Sequence, residues 1–475
     1  MSQKIKVLLI LIFAMSFQKG YSQKKHKNLI QSEEALKTSQ EYRSIDEALT
    51  NKKKAFVLNL ENQKLNTIPK EIEKLQNLQV LKLGYNQLEN IPESIFKLTN
   101  LQKLYLNDNK LTSLPDEIGN LVNLKQLNLQ ENKLTSISPE IGKLVSLEYL
   151  LCGENQLNQV PSTIGNCIAL QVLDVFNNKV ETIPGTIGNC ANIRIIDFSW
   201  NLLNSIPNEI CQLKKLEVLR LERNKIQHLP NEIGKLTNLN EIQINENQLI
   251  ELPESFGKLI GLKELLLTKN SLKRLPESMG GLTNVKTLDV SQNQLESVPE
   301  SIGKMQKLEE VYFTNNKITE IKGETFNIPT LRILDLSLNK IIRFECSIYN
   351  CKQLKIIDLE LNRLNKVPMC ITNVTCLEQF NFSRNLLTEV PKSILKLDQV
   401  RELNFGQNQI NNLPLNIFQL SKLESLDLSQ NRLKKFPLNI IPPKSLKQCD
   451  LRGNPFEKQF TKQIKDKFSM LDLKI

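Results

Sequence analysis

The sequence predicts an α/β solenoid, with one parallel sheet along an inner face and an irregular or short-helical backbone along the outer one. Three observations predict it. Asparagine recurs at every 23rd position from Asn86 to Asn454, seventeen times without a break. Ahead of each asparagine, apolar residues alternate as L-x-x-L-x-L, as do Leu101, Leu104 and Leu106 before Asn109. Behind it, a second half reads [I/L]-P-x-x-I-G-x-L, as in Leu114 and Pro115 followed by Ile118, Gly119 and Leu121. The chain has 475 residues, enough for two or three ordinary domains. Aromatics at 5% beside 40% hydrophobic content suit many small identical layers better than one aromatic-centred core.

Each part of a rung has a physical reason. L-x-L alternation puts the leucines on one side of a short strand and leaves the intervening residues outward. One rung cannot bury its leucines alone, so the next rung must complete the core. Strands about 4.8 Å apart bring successive asparagines close enough to bond neighbouring backbone groups, where the chain turns out of the strand. Proline then fixes φ and ends the extended stretch, which makes the outside of the rung wider and bends the stack. It holds its place in fourteen of the seventeen rungs between residues 69 and 437; Ser138, Lys322 and Glu345 replace it. Gln63 fills the asparagine's place one step before Asn86, so eighteen rungs span about residues 55–456.

These motifs resemble the leucine-rich repeat family. The closest flavour is the 23-residue type with an L-P-x-x-I-x-x-L second half, found in Ras-group scaffolds and many bacterial repeat proteins. The resemblance implies a curved, right-handed horseshoe with the sheet on its concave face. It also implies a binding scaffold, whose ligand is left to the variable outward residues.

The ends read differently. Residues 1–22 form a signal peptide: Lys4 and Lys6 precede an apolar run at residues 7–15, and Gly20 and Ser22 are small residues suited to cleavage after Ser22. The run is too short to span a bilayer comfortably, so no transmembrane span is expected in the mature chain. No cysteine stands at the cleavage point for a lipid anchor. The expected location is therefore outside the cytoplasm: periplasmic, at the cell surface or secreted. Residues 23–54 are a basic segment and a helical cap, with Ser44 and Glu47 spaced as a capping box. Residues 457–475 are a second helical cap, in which Phe460, Ile464 and Phe468 recur at helical spacing.

Catalytic chemistry is not expected. The chain carries no Walker-type loop, no G-x-G-x-x-G and no H-E-x-x-H, and its two histidines, His26 and His228, stand far apart. Neither a cofactor nor a metal is implied. Of nine cysteines, Cys152 and Cys449 replace core leucines, and Cys167, Cys190 and Cys351 replace the leucine late in the second half. These five read as small buried hydrophobes. Cys167 with Cys190, Cys346 with Cys370, and Cys351 with Cys376 fall on adjacent rungs, so disulfides there stay open. Their spacings match no common zinc signature.

The net charge of +11 invites a nucleic-acid reading, which register opposes. The columns six, four, two and one residues before the ladder face outward from the sheet. They hold seven basic and eighteen acidic residues, a net of −11. Nucleic acid in that groove would meet repulsion. The positive excess lies elsewhere, at Lys24, Lys25 and Lys27 and in the column after the ladder, and reads as solvated loop charge.

The same columns hold the one tryptophan, Trp200, together with Phe176, Tyr149, Tyr105, Tyr85 and Leu151. Asp174 and Asp197 lie beside them, and Arg220 and Arg223 occupy the next rung. Grouped outward aromatics with arginine are the residue types of interface hot spots, and these ten form the expected partner-binding site. The competing reading is that the side chains only cover one another along the sheet. A second, weaker patch comprises Tyr312, Ile333, Leu338, Ile356 and Leu361. The functional expectation is a monomeric, non-enzymatic protein that binds another protein through its concave face. A carbohydrate-binding or adhesion protein and a cytoplasmic signalling scaffold are the alternatives.

Overall fold

The L-x-L stretches form three-residue strands that pair in parallel, one rung to the next, in register. Leu104 sits opposite Leu127, and Leu127 opposite Leu150. The computed structural model describes residues 31–475, except 346, 347, 437, 439, 440 and 469. Residues 1–22, the expected signal peptide, and Lys24, Lys25, His26, Lys27 and Cys346 lie outside the described residues. The chain divides into two compact units, Met1–Leu202 and Leu203–Ile475. Each is a stack of the same rung, with parallel strands on one side and a one-turn 3-10 helix on the other in most rungs.

The core is the repeat written in side chains. In the rung from 101 to 121, Leu101, Leu104, Leu106, Leu111, Ile118 and Leu121 are fully buried. Proline works as the N-cap of the 3-10 turn: Pro115, Pro161 and Pro184 all hold φ at −65°, with ψ still extended. Where Ser138 replaces proline, its hydroxyl accepts from Glu140 N at 3.1 Å, and Pro139 starts the turn instead. Lys322 and Glu345 do something else. Among the described residues their rungs show no 3-10 turn but an outer pair of two-residue strands, Glu320–Ile321 with Arg343–Phe344. The Glu345 N–H donates to the Ile321 carbonyl at 2.8 Å, a bond that proline could not make.

The asparagine ladder is buried from Asn86 to Asn431 and bonded throughout. Asn132 Nδ2 donates to the carbonyls of Leu106 (2.9 Å), Leu129 (3.1 Å) and Gln130 (3.1 Å), while its Oδ1 accepts from Leu111 N at 3.0 Å. One side chain thus satisfies groups on two rungs where the strand ends. The I-G-x-L glycine has a steric reason. A Cβ on Gly257 would stand 2.0 Å from the Ser278 carbonyl oxygen in the next rung. Gly257→Ala is expected to cost about 2 kcal/mol as an overpacking change. Gly323→Ala, whose Cβ would meet nothing nearer than 3.9 Å, is the neutral control in a paired thermal melt.

The termini close the core. Helix α1 spans Glu33–Thr38, and helix α2 spans Ile45–Thr50. The α2 N-cap is Ser44, whose hydroxyl accepts from Glu47 N at 3.1 Å as the capping-box pattern implies. Glu41–Tyr42 pairs in parallel with the first repeat strand, and Tyr42 and Ala48 are buried. At the other end helix α3, Lys458–Lys467, buries Ile464, and Phe468 beyond it meets the rings of Phe418 and Phe436 at 6.1 and 5.5 Å. The last strand has no counterpart in the sequence periodicity. Asp472–Lys474 returns beside Gln448–Asp450 and pairs with it in parallel.

Candidate recognition surface

The residue just before each ladder position lies in the left-handed region in all eighteen rungs. Its φ is 51–58° at seventeen non-glycine residues and 72° at Gly453. That conformation costs an L-residue about 1–2 kcal/mol, least for Asn, Asp and Gly. Most of the column is accordingly short or polar. Four positions are not: Tyr85, Trp200, Leu338 and Leu361 hold bulky apolar side chains there, 55, 37, 40 and 43% exposed. No fold requirement explains a bulky residue at an unfavourable φ with a third or more of its surface in solvent.

Trp200 follows the strand Ile195–Asp197, and its ring meets Phe176 of the preceding rung edge-on, with centroids 6.3 Å apart. Its column in the first unit reads Tyr85, Asp108, Glu131, Glu154, Asn177, Trp200. Asn62 precedes this stretch in the column; from Tyr85 to Trp200 an aromatic stands at each end and three carboxylates lie between. The field of that strip is felt at Tyr85, whose hydroxyl is pushed up by partial burial and then by the carboxylates of Asp108, Glu131 and Glu61. Tyr105 and Tyr149 are only partly exposed, and burial pushes both hydroxyls up to about 12. Tyr105 donates to Gln126 Oε1 at 3.1 Å.

Three of the expected contact residues are not on an open surface. Leu151, Asp174 and Asp197 are only 1, 2 and 5% exposed, although their columns face outward. For the aspartates the reason is local. Asp174 Oδ1 accepts from Phe176 N at 2.9 Å, Asp197 Oδ1 from Ser199 N at 2.9 Å, and Asp174 Oδ2 from Gln130 Nε2 at 2.8 Å. Eleven Asp or Asn residues, Asn59 to Asp450, stand in this column, and each accepts the N–H two residues on. The column is a run of Asx turns that leads the chain out of the strand. Its period in the sequence, Asp or Asn four residues before the ladder, was the available signal.

Arg220 and Arg223 belong to the second unit, where they pair with Glu241 (2.7 Å) and Glu246 (3.0 Å). In that unit, Tyr312 donates to Glu310 Oε2 at 3.2 Å, and Leu338 and Leu361 stand exposed on adjacent rungs. Nearby, burial pushes Asp358 up to about 6, against the bonds from Glu360 N–H and Asn381 that favour its charged form. A carboxyl whose folded pKa lies above its unfolded value binds more protons when folded, so stability falls as pH rises from about 4 through about 6. Asp358→Asn, which mimics neighbouring Asn381, is expected to flatten that stretch of the curve of unfolding midpoint against pH. A curve that keeps its slope in the variant would contradict this assignment.

Seven of the eight described cysteines are buried packing residues. Cys152, Cys167, Cys190 and Cys449 are buried, and burial pushes all four thiols up, Cys167 and Cys449 to about 12. Cys167 and Cys190 donate to the carbonyls of Ile141 and Ile164 at 3.3 Å each, one rung back. Among the described residues no group of three or more His, Cys, Asp or Glu is placed to hold a metal ion.

Comparison with known proteins follows the same repeat. A leucine-rich repeat region is matched over residues 56–138, leucine rich repeats over 237–295 and 306–364, a two-copy repeat over 283–327, and a single repeat over 422–443. No curated protein sequence matches. Among solved structures, a leucine-rich repeat protein of Leptospira interrogans is 30% identical over 92% of this chain and 100% of its own, with a TM-score of 0.57. The plant peptide hormone receptor RGFR1 in complex with RGF2 is 29% identical over 88% of this chain and 73% of its own, at 0.68. The ectodomain of an Arabidopsis thaliana membrane receptor kinase in complex with Casparian strip integrity factor 2 is also 29% identical. There the alignment covers 88% of this chain and 58% of the receptor chain, at 0.55.

Proposed function

Because the chain belongs to the leucine-rich repeat family, we propose that it is a non-enzymatic recognition protein whose inner sheet face binds another protein. The observation that carries this reading is Trp200, a bulky aromatic at φ 58° with 37% of its surface exposed. Backbone strain held at a side chain this exposed to solvent is a mark of functional positions. Two of the similar structures are receptors solved in complex with RGF2 and with Casparian strip integrity factor 2, which supports a protein ligand.

The strip also describes the partner. Tyr85 and Trp200 are five rungs apart, roughly 24 Å at about 4.8 Å per strand. Between them lie Asp108, Glu131 and Glu154. A partner segment with apolar side chains at its ends and basic residues between them fits this arrangement. Aromatics beside carboxylates also suit sugar rings, so the test has two arms. The purified protein is offered to proteins shared with its native surroundings and, separately, to a glycan array. Capture of one protein that W200A fails to capture supports the proposal; saturable, Trp200-dependent glycan binding without such a protein overturns it.

Export is part of the same proposal. It is supported by Lys4, Lys6 and the apolar run at residues 7–15, and one similar structure is an ectodomain. Among the described residues no helix is long and apolar enough to cross a membrane. Protein isolated from its source is expected to begin near Gln23. Met1 or Ser2 as the dominant N-terminus would favour a cytoplasmic scaffold instead.

A further inference from the structure

The core is closed by Glu41–Tyr42 and α2, yet the chain before them does something separate. Residues 31–38 lie across the outward columns of the first three rungs. Leu36, 7% exposed, packs on Val57 and Val80, with Phe56 and Tyr105 closing round it. Val57 and Val80 stand six residues before their ladder positions and Tyr105 four, so this contact is on the inner face. Three residues before Leu36, Glu33 Oε1 pairs with Lys103 Nζ at 2.5 Å. Two residues before that, the main chain is read by amides. Gln31 N donates to Gln79 Oε1 at 2.8 Å, and Gln102 Nε2 donates to the Gln31 carbonyl at 3.1 Å. The two glutamines are themselves buried and joined, Gln102 Nε2 to Gln79 Oε1 at 2.8 Å.

This is the anatomy of peptide recognition: one apolar pocket, one charge partner, and side-chain amides fixing the peptide backbone. From it we infer that the inner face of the first three rungs is a docking groove for a peptide carrying an acidic residue three places before a leucine. Residues 31–38 occupy that groove in cis, as a strap that a competing peptide must displace. Lys82, the other lysine of these rungs that faces the groove, is already paired with Glu41 at 2.7 Å, so Lys103 is the cation that selects the acid. A tethered occupant acts at an effective concentration on the order of millimolar, so only a tighter or more abundant peptide opens the groove. The inference rests on the reading that the inner face recognises protein. It does not use Trp200, so the Trp200→Ala result and the peptide titration are read separately.

The probe is a labelled synthetic peptide copying residues 31–39, QSEEALKTS, titrated against the full chain. The unsubstituted protein is expected to bind it poorly because the strap is in place. Glu33→Ala with Leu36→Asp releases the strap and should tighten peptide binding at least about tenfold, the loss of an intramolecular competitor. Adding Lys103→Glu should abolish that binding, and a peptide with lysine at the place of Glu33 should restore it. A released variant with an unchanged melt that ignores the peptide overturns the inference, as does equal binding by the unsubstituted protein. Hydrogen exchange on the unsubstituted chain serves if the released variant does not fold. Millimolar peptide should then speed exchange of the amides at 35–38, including the Leu36 N–H that bonds Ser32 O at 3.0 Å. Exchange that is indifferent to the peptide also overturns it.

Discussion

Trp200→Ala is expected to weaken partner binding by about 2 kcal/mol, roughly 30-fold, the loss typical of a truncated hot-spot aromatic. The same change should scarcely move the melting temperature. A buried large aromatic costs about 3–5 kcal/mol when cut to alanine, but this residue is 37% exposed and its ring meets Phe176 edge-on at 6.3 Å. Such a contact is worth about 1 kcal/mol. Trp200→Asn sharpens the test, because asparagine tolerates φ near 58° and Asn177 holds the same place one rung earlier. The asparagine variant should be as stable as the parent or slightly more so, and should bind as poorly as the alanine variant. Tyr312→Ala, in the second unit, is the control and should leave that affinity unchanged. Should Trp200→Ala unfold the protein while binding per folded molecule stays constant, the indole is packing.

The largest stability effect is expected at the ladder. Asn247 is 8% exposed, and its Nδ2 donates to the carbonyls of Leu221, Ile244 and Asn245 at 2.9, 3.2 and 3.3 Å. Its Oδ1 accepts from Ile226 N at 3.1 Å. Asn247→Ala leaves these buried groups short of a partner and is expected to cost about 3 kcal/mol. Asn247→Asp keeps the acceptor for Ile226 but turns a carboxylate toward three carbonyls, so it should be at least as damaging at neutral pH. Exposed Gln248→Ala, next in sequence, should stay within about 0.5 kcal/mol. Chemical unfolding midpoints of the three variants decide the matter, and an unchanged midpoint for Asn247→Ala would show that the ladder is decorative.

What could be read from the sequence was whatever repeats. Strand register, leucine burial, the ladder and the proline turn all came from a 23-residue period, because every rung solves the same packing problem. Trp200 was placed in an outward column by register alone, and the residue is exposed there. What escaped was non-periodic or conformational. The strap of residues 31–38 makes its contacts with rungs up to 71 residues away, as Gln31 does with Gln102, and nothing local announces such a pairing. Positive φ before the ladder is a property of the backbone turn that glycine would have revealed, but only Gly453 occupies the column. Asp174 and Asp197 were grouped with surface charge because a carboxylate's outward column says nothing of the N–H two residues on that it accepts. Lys322 and Glu345 were visible as missing prolines, but that their rungs would pair as extra strands depended on a neighbour lacking proline too.

Site-specific photocrosslinking tests the central claim, that the inner face of the first unit is where a partner binds. A photoreactive aromatic would replace Tyr85 or Phe176 on the inner face and Lys143 at the end of an outer 3-10 turn. Each variant would be irradiated with the captured partner and the adducts mapped by mass spectrometry. Adducts from positions 85 and 176, with none from 143, are the predicted result. Adducts from 143 with the inner positions silent would put recognition on the outer arc and contradict the account.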